Sequence, residues 1–474
     1  MFPVSSHLLV SSNPAIMSNY QNFLSAKRHS ATDHGIEPLF IPDAMFPYQK
    51  HVTEYAIRKG RCAVFLDTGL GKTFIELSIA QNYVLKTNKP VLILTPLAVA
   101  FQFIKEAEKF GIGDISYSKD GKLNSKIVVC NYERLDKFNP ADFDCVILDE
   151  SSILKNFDGA TKQKVTAFLK RVKYRFLFTA TPSPNDFVEL GTSSEALGYL
   201  GYTDMLTRFF TNNEDTISPV NIGTEWKLKG HAKETFFEWV SGWSISMRKP
   251  SDLGFEDTDY QLPELITNFH SVKNEKNMVI GGQIQLFNMI ATGMVEIKEE
   301  QKCTIEDRCR VAVELANSHE KSVYWCNLNA EGDLIQKLDK DACQIKGSMD
   351  IDKKEDLLLN FFNGNIQKLI TKPKMTAFGL NWQHCNHTVY FPTFSYKQYY
   401  QSIRRFWRFG QTRPVTVDLV YSDGQKRVLD SLLAKTQKAN QLFDKLNSSV
   451  NTGFEIKKSP FDKSIILPSF LKQA

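Results

Sequence analysis

The chain has 474 residues, a length that favours two or three domains over a single core. Its composition, 42% hydrophobic and 23% charged, is that of an ordinary globular protein, and a net charge of +5 permits a nucleic-acid partner without requiring one. No CxxC pair indicates a zinc knuckle, and no apolar run approaches the roughly 20 residues of a membrane span or forms a signal peptide, so we expect a soluble, cytoplasmic protein.

Residues 1–35 show no clear pattern and are expected to be irregular. From 36 to 198, short apolar segments alternate with helical stretches, which is typical of an α/β lobe. Segments this apolar favour strands that are buried on both faces, as in a parallel sheet. The predicted strands are 62–66, 91–95, 126–130, 145–149 and 176–180, and a helix is predicted from Thr73 to Lys86.

The first predicted strand leads directly into LDTGLGKT (66–73), the context that a phosphate-binding loop requires. Gly69 and Gly71 let the backbone bend so that its N–H groups converge on a phosphate at a helix N-terminus. Lys72 supplies a positive charge for the β- and γ-phosphates, and the Thr73 hydroxyl is a ligand for Mg²⁺. The predicted nucleotide-binding residues of the loop are Thr68, Gly69, Leu70, Gly71, Lys72 and Thr73.

A second part of the nucleotide site is predicted in DCVILDESS (144–152). Asp149 stands where a strand would deliver a carboxylate to the metal ion, and Glu150 is positioned to orient and deprotonate the attacking water. An acidic pair after a strand is usually only a solvated turn. Together with the loop at 66–73, the pair indicates a site for ATP or GTP.

Residues 199–300 differ from the flanking regions, being rich in aromatic residues and mixed charge. Helical segments such as 232–243 predict a mainly helical insertion. Four residues of this region are candidates for nucleic-acid contact, although aromatic residues at helical spacing more often belong to a core. They are Trp239, Trp243, Arg248 and Lys249.

A second α/β lobe is predicted from 301 to 425, and the remaining residues, 426–474, predict an amphipathic helix followed by a lysine-rich tail. The predicted strands of this lobe are 322–326, 342–346, 368–372, 388–392 and 415–421.

Arginines and aromatic residues are concentrated in YYQSIRRFWRFGQ (399–411). As a helix, this segment would place Gln401, Arg404, Arg405 and Arg408 on one face. Three interpretations are open for it: a solvated surface helix, a nucleic-acid contact, and an arginine finger for a nucleotide bound elsewhere. Because a triphosphate in the first lobe needs cations on its outer side, we expect Arg405 and Arg408 to reach it across the cleft.

Several segments, in order along the chain, resemble the motifs of the Swi/Snf-type ATPases, a branch of the superfamily 2 helicases. QSIRRFWRFGQ (401–411) matches their Q-A/S-x-x-R-x-x-R-x-G-Q pattern, and TATPSPNDFVEL (179–190) resembles their T-G-T-P-x-x-N-x-x-x-E-L element. Further resemblances lie in FPYQK (46–50), DESSILKN (149–156), RKPSDLGFEDTDYQLPEL (248–265), GSMDIDKKEDLLLNFFNG (347–364) and FGLNW (378–382). In amino-acid sequence, these motifs are most similar to those of the compact family members carried by bacteriophages. A phage-encoded protein would be expected in the cytoplasm of a bacterial host.

The resemblance implies two RecA-like P-loop lobes, each a parallel sheet with flanking helices, and Gln49 as the residue that reads adenine. ATP and Mg²⁺ are then the expected ligands, with Glu150, Lys72, Arg405 and Arg408 as catalytic residues. It also implies double-stranded DNA as the partner, held by its backbone and therefore with little sequence specificity. The candidate strand contacts are Thr95, Pro96, Gly347, Ser348 and Thr371.

Two departures from the family pattern limit what it implies. Ser152 stands in the acidic segment where a histidine is usual, so that histidine's role does not transfer. TKPKMTAFGLNW (371–382) lacks the glycine-rich stretch that usually precedes this motif, which weakens the assignment of Thr371 as a strand contact.

The favoured function is an ATP-driven translocase on duplex DNA, with or without strand separation. One alternative is a helicase acting on RNA or on branched or single-stranded DNA. The other is a clamp that binds ATP and DNA but turns over negligibly, which the intact set of catalytic residue types disfavours.

Overall fold

The computed structural model of the protein describes residues 34–96, 99–155, 158–184, 186–212, 226–257, 260–274, 278–280, 283–285, 294–376 and 381–450. Nearly all of the expected irregular N-terminal segment and the lysine-rich tail beyond Val450 lie outside the described residues. In the described part of the chain, no helix is both long and apolar enough to cross a membrane.

The first lobe is built on a seven-stranded sheet with the order β3-β4-β2-β5-β6-β1-β9, in which every neighbouring pair is parallel. Its strands are β1 (Arg61–Leu66), β2 (Val91–Thr95), β3 (Ile115–Tyr117), β4 (Ile127–Asn131), β5 (Cys145–Leu148), β6 (Tyr174–Thr179) and β9 (Ser244–Met247). All five strands predicted for this lobe are present, within two residues at each end. The short strands β3 and β9 were not predicted.

Both faces of this sheet are buried, and β1 shows why its sequence is apolar throughout. Cys62, Val64 and Leu66 pack into one hydrophobic cluster, while Ala63 and Phe65 pack into another on the opposite face. Because successive side chains of a strand point to opposite faces, a strand covered by helices on both sides has no solvent-facing position.

The second lobe is built on a six-stranded parallel sheet with the order β10-β17-β16-β13-β15-β14. Its strands are β10 (Leu265–Val272), β13 (Ser322–Trp325), β14 (Ala342–Gln344), β15 (Lys368–Thr371), β16 (His387–Tyr390) and β17 (Val415–Ser422). The five predicted strands are confirmed, and β10 adds an edge strand. Two parallel sheets with flanking helices are the expected RecA-like architecture.

The described part of residues 199–300, predicted as a mainly helical insertion, contains helices and also strands that were not predicted. Strand β9 extends the first sheet beside β1, and β10 extends the second sheet beside β17, so the region completes both lobes instead of standing apart from them. Two antiparallel hairpins also lie here, formed by β7 (Phe210–Asn212) with β8 (Trp226–Leu228) and β11 (Met278–Ile280) with β12 (Gln283–Gln285).

The helices of the first lobe and of the region after it are α1 (Pro47–Lys59), α2 (Lys72–Thr87), α3 (Ala100–Lys109), α4 (Ala160–Leu169), α5 (Leu190–Leu197), α6 (Tyr202–Phe209) and α7 (Lys233–Ser241). Those that follow are α8 (Met294–Cys303), α9 (Ile305–Asn317), α10 (Asn329–Leu338), α11 (Ile351–Phe362), α12 (Pro373–Thr376), α13 (Tyr396–Ile403) and α14 (Lys426–Val450). The helix predicted from Thr73 to Lys86 is confirmed as α2.

The last helix, α14, packs against both lobes. Near its start, Leu429 belongs to a hydrophobic cluster of the second lobe. Near its end, Leu442, Phe443 and Leu446 belong to a cluster of the first lobe. Asn447 also accepts a hydrogen bond of 2.7 Å from Ser246 of β9. The end of α14 therefore lies against the first lobe, although the helix begins in the second.

Candidate nucleotide site

The phosphate-binding loop lies between the end of β1 and the start of α2, at the carboxyl edge of the first sheet. Gly69 and Gly71 have φ angles of +89° and +80°, which L-residues with side chains rarely adopt. A Cβ atom on Gly71 would stand 2.2 Å from the Nε2 atom of Gln49, and one on Gly69 would stand 3.0 Å from the backbone nitrogen of Phe409. Both glycines are therefore required by the conformation of the backbone.

Lys72 opens α2 and folds back over the loop. Its Nζ atom donates hydrogen bonds to the carbonyl oxygens of Leu66, at 3.0 Å, and Asp67, at 3.2 Å. The positive charge thus lies within the curve of the loop, where phosphate oxygens would compete with the carbonyl oxygens as acceptors. This arrangement and the N-terminus of a 16-residue helix fit a nucleotide phosphate.

Gln49 lies in the first turn of α1 and is held against the loop. Its Oε1 atom accepts a hydrogen bond of 3.0 Å from the Phe46 backbone, and its Nε2 atom donates one of 3.1 Å to the carbonyl oxygen of Leu70. The structure therefore places Gln49 next to the phosphate loop, and its role as the residue that reads adenine stays a prediction.

Asp149 follows β5 at the same edge of the sheet as the phosphate loop. Its carboxylate accepts a hydrogen bond of 3.0 Å from the Thr95 hydroxyl, and its carbonyl oxygen accepts one of 2.6 Å from the Tyr132 hydroxyl. Burial and the neighbouring Glu150 raise the pKa of Asp149 to about 7, against the opposing effects of Lys72 and the Thr95 hydrogen bond. A divalent cation would relieve this crowding of negative charge.

The donor set suits Mg²⁺ bound together with phosphate. Thr73, in the first turn of α2, offers a hydroxyl and Asp149 a carboxylate. Mg²⁺ prefers oxygen ligands and usually keeps several waters, using one or two protein groups plus substrate phosphates. Among the described residues, no cluster of three or more His, Cys, Asp or Glu side chains could hold a metal by itself.

Glu150 adopts a φ of +53°, a left-handed conformation that is uncommon outside glycine and points to a functional constraint. Its Oε2 atom accepts a hydrogen bond of 3.1 Å from the Nε2 atom of Gln401, in α13 of the second lobe. The proposed water-activating carboxylate is therefore contacted across the cleft. The sequence does not predict this contact.

Glu76 is an acidic residue of the site that the sequence analysis missed. It lies one helical turn after Lys72 in α2, is fully buried, and neither carboxyl oxygen has a hydrogen-bond partner among the described residues. Burial, together with Asp149 and Glu150, raises the pKa of Glu76 well above its ordinary value against the opposing charge of Lys72. The only available sequence signal was a charged residue within the apolar stretch that follows the phosphate loop.

The arginine-rich segment is only partly helical, which corrects the expected single helical face. Helix α13 ends at Ile403, and Arg404, Arg405 and Arg408 lie in the turns that follow. Arg405 is buried, and burial and the nearby Arg408 lower its pKa. The Nε atom of Arg408 has no hydrogen-bond partner among the described residues, and burial also lowers the pKa of this guanidinium. The negative charge of a polyphosphate would stabilise the protonated form of the Arg405 and Arg408 guanidinium groups.

Arg404 is directed to the first lobe instead of presenting its charge to solvent. It forms a buried ion pair with Asp67, at the start of the phosphate loop, in which its Nε atom lies 3.1 Å from Oδ1. The Tyr400 hydroxyl donates a hydrogen bond to the same carboxylate. The phosphate loop and the arginine segment are therefore joined by direct contacts.

The candidate strand-contact residues have different environments. Thr95 is fully buried and its hydroxyl donates a hydrogen bond to Asp149, whereas Pro96 after it is half-buried; their role as strand contacts stays a prediction. Gly347 and Ser348 are exposed and line a cavity of about 180 Å³, with the buried Thr371 behind them.

The two candidate tryptophans of the 199–300 region lie in or against the first lobe's core. Trp243 is 1% exposed, which contradicts a nucleic-acid role for its ring, and Trp239 is half-buried against the same hydrophobic cluster. Arg248 pairs with Asp444 of α14, and Lys249 lies 3.4 Å from Asp257. Both basic residues therefore have acidic partners within the chain.

Comparison with known proteins identifies two domains. Residues 43–184 match the family model described as type III restriction enzyme, res subunit, and residues 305–410 match the helicase conserved C-terminal domain. The first range holds the phosphate loop and Asp149, and the second holds Arg404, Arg405 and Arg408.

Curated relatives are similar over about a third of the chain. The bovine (Bos taurus) "DNA annealing helicase and endonuclease ZRANB3" is 29% identical over 202 residues, which are 38% of this chain and 19% of the relative. The "SWI/SNF-related matrix-associated actin-dependent regulator of chromatin subfamily A-like protein 1" of Xenopus tropicalis is 28% identical over 164 residues, 32% of this chain and 17% of the relative. The chain thus matches less than a fifth of the length of these relatives.

A solved structure, "Sulfolobus solfataricus SWI2/SNF2 ATPase core in complex with dsDNA", is 18% identical with a TM-score of 0.40, covering 88% of this chain and 95% of the other.

Proposed function

The chain belongs to the Swi/Snf-type branch of the superfamily 2 helicases, and on that premise we propose that it is an ATPase that hydrolyses ATP between its two lobes and uses the cycle to move along duplex DNA. The observation that carries this proposal is the composite site. The phosphate loop of the first lobe lies against Arg408 and Phe409 of the second, and Gln401 reaches Glu150. A site made from two lobes couples hydrolysis to their relative motion.

The chain's own residues divide the work of hydrolysis. The loop backbone and Lys72 hold the phosphates, with Gln49 beside them for the base. Glu150, held by Gln401, orients and deprotonates the attacking water. Arg405 and Arg408 stabilise the negative charge that develops at the γ-phosphate. Mg²⁺, held by Thr73 and Asp149, would supply electrostatic stabilisation to the phosphate oxygens.

Duplex DNA is the proposed partner, as implied by the Swi/Snf-type family. Gly347 and Ser348 stand exposed at the carboxyl edge of the second sheet, where a backbone phosphate has access to them. Contacts of this kind position a duplex but do not read its sequence. We therefore expect similar affinity for unrelated DNA sequences.

The test is steady-state ATP hydrolysis without nucleic acid and with duplex DNA, single-stranded DNA and RNA. Lys72→Ala serves as the blank, because loss of its charge should weaken nucleotide binding and abolish turnover. Strong stimulation by duplex DNA is the expected result, with translocation then measured by displacement of a DNA triplex.

Stimulation only by RNA or single strands would replace duplex DNA as the proposed substrate. Undiminished hydrolysis by Lys72→Ala would remove the site assignment altogether. A wild-type protein that binds ATP and DNA without turnover would indicate a clamp.

A further inference from the structure

Arg404 has no role in the proposed chemistry, yet it is among the most enclosed charged residues of the described chain. It is 3% exposed and its partner Asp67 is 7% exposed. In the family pattern Q-A/S-x-x-R-x-x-R-x-G-Q, Arg404 stands at a position that accepts any residue. The pair joins residues that are 337 positions apart in the sequence and belong to different lobes.

The surroundings of Arg404 determine its orientation. Its guanidinium lies 4.7 Å from the centre of the Trp407 ring and 5.7 Å from that of Tyr400, and its Nη1 atom donates a hydrogen bond of 3.0 Å to the Trp407 carbonyl oxygen. Burial alone would lower the pKa of Arg404, but Asp67 and the neighbouring tyrosines raise it above its ordinary value. The side chain therefore connects the turn that follows α13 to Asp67.

Asp67 is equally constrained. Its Oδ1 atom accepts a hydrogen bond of 2.6 Å from the Thr68 backbone, and the Thr68 carbonyl oxygen accepts one of 3.2 Å from the Tyr260 hydroxyl. The Tyr260 ring stacks on Phe409 with centres 5.7 Å apart. Contacts therefore run from the first residues of the phosphate loop to both ends of the turn 404–409.

A buried ion pair is weak evidence for stability, because desolvation offsets most of the attraction between the charges. Its geometric effect is more definite. Arg405 and Arg408, the proposed finger residues, lie in the same turn as Arg404, and Phe409 closes against Gly69. Fixing Arg404 to Asp67 fixes the position of this turn relative to the phosphates.

We propose that Arg404 is a positioning residue, which docks the finger-bearing turn of the second lobe on the phosphate loop through Asp67. It acts through Arg405 and Arg408 and does not itself touch the nucleotide. The consequence for turnover rests on the proposed function, whereas the docking contact itself can be tested without hydrolysis.

The experiment is a double-mutant cycle with Asp67→Asn, Arg404→Gln and the combined variant. Asparagine keeps the oxygen that accepts the Thr68 hydrogen bond, and the combined variant leaves no unpaired buried charge, so it should fold even if a single variant does not. Arg413→Gln is the control, since Arg413 is an exposed arginine two residues beyond the segment 399–411 and its side chain donates a hydrogen bond to the His384 carbonyl oxygen.

We expect kcat to fall about tenfold or more in each variant, with ATP affinity changed less than about threefold, and the two single effects to be non-additive. The control should keep the wild-type rate. Additive effects, or an unchanged kcat in the combined variant, would overturn the proposal.

Hydrogen exchange in the absence of nucleotide tests the docking itself. Asp67→Asn, a change in the first lobe, should speed exchange of the backbone amides at 404–409 in the second lobe, whereas Arg413→Gln should not alter their exchange. Unchanged exchange at 404–409 would overturn the proposal even if the protein hydrolyses ATP normally. Faster exchange in a protein without ATPase activity would confirm the docking while the proposed function fails.

Discussion

Arg408 combines two properties that suit an arginine finger: a half-buried guanidinium with an unsatisfied Nε atom, and a place in a turn that faces the phosphate loop. Arg408→Ala should bind ATP almost as well as the wild type, because Lys72 and the loop backbone remain. Its kcat should fall by about 10³-fold or more, since the transition state loses its outer charge. Nucleotide titration and single-turnover hydrolysis would measure the two effects.

Arg413→Ala is the matched control for this prediction, with both properties expected at wild-type values. A collapse of ATP binding with normal turnover per bound ATP would contradict the finger assignment of Arg408.

Glu76 should make stability depend on pH. Because its native pKa lies well above the ordinary value of 4.5, the folded protein retains a proton that the unfolded chain releases. The free energy of unfolding therefore falls, by about 1.4 kcal/mol per pH unit, as pH rises above 4.5 towards the native pKa. Glu76→Gln removes this dependence.

Urea unfolding of wild type and Glu76→Gln between pH 5 and 8 measures that difference. We expect the variant's advantage to grow with pH, and Glu54→Gln, a change on an exposed part of α1, to leave the profile of the wild type unaltered. A constant difference across the range would show that Glu76 is ionised in the folded protein.

Residues of the site were predictable where a short motif carries the chemistry. Lys72 and Asp149 each stand in a local pattern of strand, turn and helix, and the structure brings both to one sheet edge. Glu76 and the Asp67–Arg404 pair were not predictable, because burial of an acid and contact across 337 positions depend on tertiary packing.

At the scale of elements, α14 packs on both lobes. Leu446 is fully buried in a first-lobe cluster, so Leu446→Ala should lower the free energy of unfolding by about 2–5 kcal/mol. Leu433→Ala, on the same helix but 39% exposed, should change it by less than about 0.5 kcal/mol. Chemical denaturation would measure both. Equal effects of the two substitutions would mean that the end of α14 is not packed on the first lobe.

The elements predicted from sequence were those with a continuous apolar run. Strand β2 was predicted from Val91 to Thr95 because VLILT is a short apolar run rich in β-forming residues, and all five of its residues are buried. Strand β9 is only four residues long and half serine, and β10 alternates between exposed and half-buried positions, so neither carried that signal. The helical prediction for 399–411 holds only as far as Ile403. The turns beyond it place Arg404 against Asp67, a contact that helical periodicity does not contain.

At the scale of the whole molecule, the proposed duplex contacts should be electrostatic. DNA affinity should fall steeply with salt, by a slope of about 0.9 for each phosphate neutralised, and should vary little between unrelated sequences. Lys372, beside Thr371 at the cavity of the second lobe, is a candidate contact. Lys372→Ala should reduce the slope by about 1 on every sequence.

Lys340→Ala is the control for that measurement, because exposed Lys340 precedes β14 at the opposite edge of the sheet. If both variants had the same effect, the loss would reflect net charge and not a contact at the cavity.

The path of the chain constrains how the two lobes can move. The backbone passes from the first lobe to the second between β9 and β10, and α14 returns it to the first lobe, where Asn447 lies beside β9. A lobe joined to its neighbour at one point can rotate in any direction. A second connection at a separate point restricts the rotation mainly to the axis through both points. We therefore expect the lobes to turn relative to each other mainly about the axis through these two connections, so that a single distance across the cleft would follow most of that movement.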